Sequence, residues 1–254
     1  MPDSINVLAL FAHPDDAEFL CAGTLAHLAA LGARIHIATV TAGDCGSTTL
    51  SASKIAALRR QEAAHAAALI GAQYHCLKGK DLLIFYDREH LNKVMELVRR
   101  VRPTMVLTHS PVDYMADHET VSRLAQTACF GAMAPNYKTG RPHAAPALSG
   151  VPHLYYADAF GRRDILGNRI VSGIHVNIGK TLERKEEMLA CHKSQQAWLK
   201  TQQAIPGTLS AMQKMARETG KDAGLRWAEG FRQHLGQGFP ADDLLKRLLG
   251  NLVR

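Results

Sequence analysis

Three observations in the sequence predict an α/β fold, a mostly parallel sheet covered by helices on both faces. Short apolar runs of strand length alternate with helical stretches of about 12–18 residues. The helical stretches stop at glycine, or at an Arg-Pro pair that leads into the next strand. Polar clusters rich in histidine and aspartate follow the ends of three of the apolar runs. At 254 residues the chain is long enough to bury one large core without disulfides.

The first strand is INVLALF at 5–11, rich in branched residues. A helix from Ala17 to Leu31 ends at Gly32, and IHIATVT at 35–41 is the second strand, closed by the glycine-bearing loop AGDCGS. A long helix over 53–70 stops at Gly71. The helix at 89–101 leads through Arg102-Pro103 into the strand TMVLTH at 104–109. Residues 134–152 hold several prolines and glycines without an apolar period and read as a long loop. HLYYADAF and GIHVNIG read as two further strands, 180–204 as an amphipathic helix and 208–219 as another helical stretch. No repeat or linker divides the chain, so 1–254 reads as a single domain. Within it, 205–254 is a less regular C-terminal extension, packed on the domain or on a neighbouring subunit.

A hydrophobic fraction of 46% and a charged fraction of 21% exclude a disordered or fibrous protein. The net charge of +7 does not point to nucleic acid. Residues 1–53 carry five carboxylates against one basic side chain, Arg34, and no basic tract follows a phosphate backbone. Five widely spaced cysteines without a CxxC pair fit reduced thiols. With no apolar membrane span and no signal-peptide pattern at the start, the expectation is a cytoplasmic protein acting on a small molecule, with no membrane partner.

An open parallel sheet gathers reactive groups beyond the carboxyl ends of its strands. Here those ends carry His13-Pro14-Asp15-Asp16, Gly43-Asp44-Cys45-Gly46 and the segment from His109 to His118. The first turn lacks GxGxxG and GxxxxGK[ST], which disfavours a dinucleotide or P-loop site. Histidine and carboxylate at a strand end suit a borderline ion such as zinc. His13 and Asp16 can meet one ion, and the Asp117-His118 pair offers a third ligand. Two histidines and one aspartate leave a position open for water, and Asp15 is placed to take a proton from it. Alternatively, Asp15 and Asp16 cap the following helix. Tyr114 is a candidate proton donor, Asp117 a candidate anchor for a histidine tautomer, and Cys45 an incidental free thiol.

AHPDD at 12–16 with Asp117-His118 downstream resembles the LmbE/PIG-L-like zinc-dependent N-acetylglucosaminyl deacetylase family. TAGDCGS at 41–47, Arg59 and Glu62 of RxxE, Arg102-Pro103, and His192 to Gln195 of HxSQ fit it too. The resemblance covers about 5–200 and implies a Rossmann-like three-layer fold. It implies Zn²⁺ held by His13, Asp16 and His118, Asp15 as the base, and removal of an N-acetyl group from an amino sugar or small conjugate. It further implies that Arg59 and Asp44 meet the substrate, and that the chain assembles as a homo-oligomer. Many members carry a histidine three residues before the last ligand; this chain has Met115, whose thioether has no proton to give. His192 is the first candidate to replace it. The alternatives are a zinc-dependent hydratase of a small unsaturated acid, to which the resemblance also extends, and a metal-binding module without turnover.

Overall fold

Every residue of β1 (Asn6–Phe11) after Asn6 is apolar and buried, the pattern of a strand covered on both faces. The computed structural model describes residues 5–202 and 207–254, apart from the side chains at 197 and 200–202. It continues with β2 (Arg34–Thr41), β3 (Gln73–Gly79), β4 (Met105–Thr108), β5 (His153–Ala157), β6 (Ile174–Asn177) and β7 (Ala228–Gln233). These strands form one sheet in the order β3-β2-β1-β4-β5-β7-β6. The first five run parallel, and β7 pairs antiparallel with both β5 and β6. This is a Rossmann-like three-layer α/β fold.

The helices are α1 (Asp16–Leu20), α2 (Ala22–Ala30), α3 (Ala52–Ala68), α4 (Arg88–Val101), α5 (Ala116–Gly131), α6 (Leu182–Ala190), α7 (Lys193–Gln202), α8 (Thr208–Asp222) and α9 (Leu244–Leu249). Alternation along β1 sends Val7, Ala9 and Phe11 to one core, shared with Leu25, Leu28, Met188, Phe231 and Leu245. Leu8 and Leu10 face the other, made with Val94, Val98, Val121 and Leu124 of α4 and α5. Among the described residues no helix is long and apolar enough to cross a membrane.

Two helices expected to be continuous are broken, each by a carboxylate from elsewhere in the chain. The stretch 17–31 divides at Cys21, because Glu229 accepts the N–H groups of Gly23 and Thr24 and so starts α2 afresh. Lys185, itself buried, neutralises Glu229. The stretch 180–204 divides at Cys191-His192, where Glu62 accepts from Ser194 N (3.0 Å) and Oγ (2.5 Å) at the start of α7; its expected end at 203–204 lies outside the described residues. The sequence reading missed β3, whose QYHCLKG mixes polar and apolar residues at the sheet edge, and β7, whose AEGFRQ lies in the irregular tail. The 134–152 loop has no helix or strand. Arg99 anchors its start, donating to the carbonyls of Ala132, Ala134 and Tyr137.

Candidate metal centre

The chain leaves β1 outward to β2 and β3, then crosses back to β4 on the other side, opening a crevice at the carboxyl ends of β1 and β4. His13, Asp16 and His118 meet there, each offering a ligand atom within 4.8 Å of the others. Asp16 is turned inward by accepting the N–H of His13 at 2.7 Å. The far nitrogen of each histidine is held by a carboxylate. Asp117 Oδ2 lies 3.0 Å from His13 Nε2 and also accepts the N–H of Leu82 at 2.8 Å. Asp113 Oδ1 lies 2.9 Å from His118 Nδ1. Such pairs fix tautomers, leaving His13 Nδ1 and His118 Nε2 facing Asp16, at 3.4 and 3.7 Å.

Charge supports the same reading. Burial opposes protonation of His13, but its bonds to Asp117 and Asp16 and the charges of Asp16 and Asp81 push it up to about 10. Burial would raise Asp16 as well, yet His118 and His109 hold it well below the usual carboxylate range. Three carboxylates, Asp15, Asp16 and Asp81, line the cavity against one guanidinium, that of Arg59. A His₂Asp donor set inside an excess of negative charge fits a divalent cation. His109, Asp113 and His118 also come within 4.8 Å of one another. In that grouping Asp113 and His118 Nδ1 are already bonded to each other, so the first grouping is the better receptor. His109 is wholly buried, stacks on His118 at 3.9 Å between ring centroids, and is lowered to about 4 by burial and by His118.

Asp15 caps nothing: its side chain makes no bond to the helix that follows. Its backbone lies in the left-handed region at φ 102°, an arrangement that costs an aspartate about 1–3 kcal/mol and is found where surroundings enforce it. Arg59 does the enforcing, donating through Nη2 to Pro14 O at 2.6 Å and to Asp15 Oδ1 at 3.3 Å. Gly43, at φ +74°, leaves room for that guanidinium; a Cβ there would fall 2.2 Å from Arg59 Nη1. Burial pushes the Asp15 carboxyl up to about 6, Arg59 opposing and Asp16 adding.

Three expected site residues are held by bonds or contacts within the protein. Arg59 is only 2% exposed and lines the cavity, and its bonds go to the loops around Asp15, so it orients that carboxyl. Arg59→Lys, which loses the planar fork, is expected to lower kcat with little change in KM; steady-state kinetics that show KM rising instead would return Arg59 to the substrate. Asp44 accepts the N–H of Asp81 at 2.9 Å and does not line the cavity; it ties two loops together. His192 is 1% exposed and also absent from the cavity wall. The break between α6 and α7 turns it inward, 3.5 Å from buried Glu18, whose charge outweighs burial and raises its pKa. It is near enough to Asp15 for each charge to be felt by the other.

The cavity itself is about 420 Å³. Phe19, Leu20, Phe160, Trp198 and Leu199 make its walls, with Met115 and Tyr114 beside the histidines. Tyr114 meets the His118 ring edge-on at 5.4 Å. Sequence reasoning missed Asp113, Asp81 and Glu18; only the spacing of Asp113 five residues before His118 offered a signal.

The family model described as PIG-L, GlcNAc-PI de-N-acetylase, matches residues 8–129, the span from β1 to α5. A 4-oxalmesaconate hydratase of Pseudomonas putida is 30% identical over 158 residues, 59% of this chain and 59% of that protein's own length. A diacetylchitobiose deacetylase of Thermococcus kodakarensis is 25% identical over 245 residues, 91% of this chain and 83% of the relative. The crystal structure of the 4-carboxy-2-hydroxymuconate hydratase from Pseudomonas putida superposes with a TM-score of 0.77 at 22% identity, covering 94% of this chain and 99% of that one. The matched segment holds His13, Asp15, Asp16 and His118, and over it the chain is similar to the PIG-L/LmbE-like superfamily.

Proposed function

We propose that the protein is a zinc-dependent hydratase, adding water across a conjugated double bond of a small unsaturated acid. The observation that carries this reading is Met115 at the cavity wall, beside His118. Hydrolysis of an amide builds an oxyanion on the attacked carbon, and that oxyanion wants a donor beside it. A thioether gives none. In conjugate addition the charge develops on an oxygen remote from the attacked carbon, so an apolar neighbour there is tolerated. Apolar, partly aromatic walls likewise suit a flat unsaturated body better than a polyhydroxylated ring. The 30% identity to a hydratase supports the same choice.

His13, Asp16 and His118 would hold the zinc. When bound, the ion supplies a Lewis acid that lowers the pKa of water beside it. Asp15, aimed by Arg59, accepts the proton from the attacking water as its oxygen bonds to the β-carbon and the π electrons move to the conjugated carbonyl. The same carboxyl then returns the proton to the α-carbon, so one group serves as base and acid. Phe19, Trp198 and Leu199 keep bulk water from the walls.

A second reading, removal of an N-acetyl group, draws on the identity to a deacetylase over 91% of the chain. One assay separates the two. The zinc-loaded protein is given muconate-type unsaturated acids and N-acetylglucosamine conjugates, with conjugated absorbance and acetate both followed. Loss of conjugation without acetate is expected. Acetate release without loss of any double bond overturns the hydratase assignment.

A further inference from the structure

The loop after β2 and the loop after β3 meet at the cavity mouth through Asp44, Cys45 and Asp81, none of which belongs to the His13–Asp16–His118 centre. Cys45 Sγ and one carboxylate oxygen from each aspartate lie within 4.8 Å of one another. The backbone holds this arrangement. Asp81 N–H donates to Asp44 Oδ1 at 2.9 Å, and Cys45 N–H donates to Asp81 Oδ2 at 3.0 Å. Cys45 is exposed and, with Asp81, lines the cavity.

A second observation is independent of that grouping. Asp81 is only 8% exposed, and its Oδ1 is buried without a hydrogen-bond partner among the described residues. His13 Nε2 is 4.0 Å away and already committed to Asp117 at 3.0 Å. A buried carboxylate oxygen left unpaired costs about 1–3 kcal/mol or more. A bound cation removes that cost.

We propose that Asp44, Cys45 and Asp81 form a second divalent-cation site at the cavity mouth. One sulfur and two oxygen donors select a borderline ion such as zinc, cobalt(II) or cadmium over magnesium or calcium. Binding takes Cys45 as its thiolate and releases a proton. Because Cys45 is exposed, water completes the coordination sphere and the ion exchanges more readily than one at the inner centre. Its charge offsets Asp81 and gives an incoming carboxylate a partner at the mouth. The site rests on its own three residues and stands whether the reaction is hydration or deacetylation.

Cobalt(II) reads the two sites separately, since only the outer one carries a thiolate. Metal-stripped protein titrated with cobalt(II) is expected to take two equivalents, one of them accompanied by a sulfur-to-metal charge-transfer band. Cys45→Ser is expected to lose that band and one equivalent while keeping the other. His118→Ala is expected to keep the band and lose the inner equivalent. Absence of the band at excess cobalt overturns the proposal, and so does a band that persists in Cys45→Ser, which would belong to another thiol.

Discussion

Asp15→Asn is expected to retain the fold and the metal while losing about 10²–10⁴ in turnover, the worth of a positioned base. Asparagine is the informative substitution, because it accepts the left-handed backbone that Asp15 occupies at φ 102°. Its side-chain oxygen also keeps an acceptor for Arg59 Nη2. Only the capacity to take a proton is removed. Stability moves the other way. Burial raises the Asp15 carboxyl from 3.8 to about 6 in the folded protein, so the stability contributed by its protonated form is complete below 3.8 and lost as pH rises through 6. Metal-stripped Asp15→Asn, always neutral at this position, is therefore expected to be at least as stable as the native protein at pH 7–8. That advantage fades as pH falls from 6 toward 4, which thermal melts across the range will read. Near-native turnover in the metal-loaded variant would remove Asp15 from the role of base.

His118→Ala is expected to abolish stoichiometric metal binding at the inner centre. The imidazole is buried, its Nδ1 tied to Asp113 at 2.9 Å and its Nε2 3.7 Å from Asp16 Oδ1. Its removal leaves one histidine and one carboxylate. Asp113→Ala provides the graded comparison. It spares the ligand but frees its orientation, a loss of roughly 10–100-fold in affinity, and His118→Ala is expected to exceed it. Competition with a chromophoric chelator measures both. Equal affinity in His118→Ala and the native protein would place His118 outside the centre.

The part of the site that was legible in the sequence is the part that is contiguous. His13, Asp15 and Asp16 follow one strand within four residues, and a strand end in a parallel sheet is a place where chemistry collects. Asp81 was invisible because β3, which delivers it, is an edge strand without an apolar run. Arg59 is a surface-like residue on a helix of alanines until Gly43 gives it a slot and Pro14 a carbonyl. Its burial is a tertiary fact. The burial of His192 is also a tertiary fact: Glu62 caps the chain at Ser194, and His192 lies on the turn between the two helices. The fold was more readable than its punctuation, since Glu229 and Glu62 act across 205 and 132 residues of chain.

The position of β7 bears on how the chain acquires its structure. Among the described residues β6 pairs with no strand except β7, apart from a single bridge from Val176 to Val253. β7 in turn enters between β5 and β6, more than fifty residues after β6 has been made. During synthesis from the N-terminus, the five parallel strands can therefore assemble while β6 waits unpaired and β5 presents an open edge. Closing that gap is a contact of long sequence separation, which slows folding and lengthens exposure of an unsatisfied strand. Glu229 sits on the same late strand and caps α2 near the other end of the chain. Arrival of β7 thus completes the sheet and secures an early helix in a single event, making the last fifth of the chain the step that commits the whole to its native state.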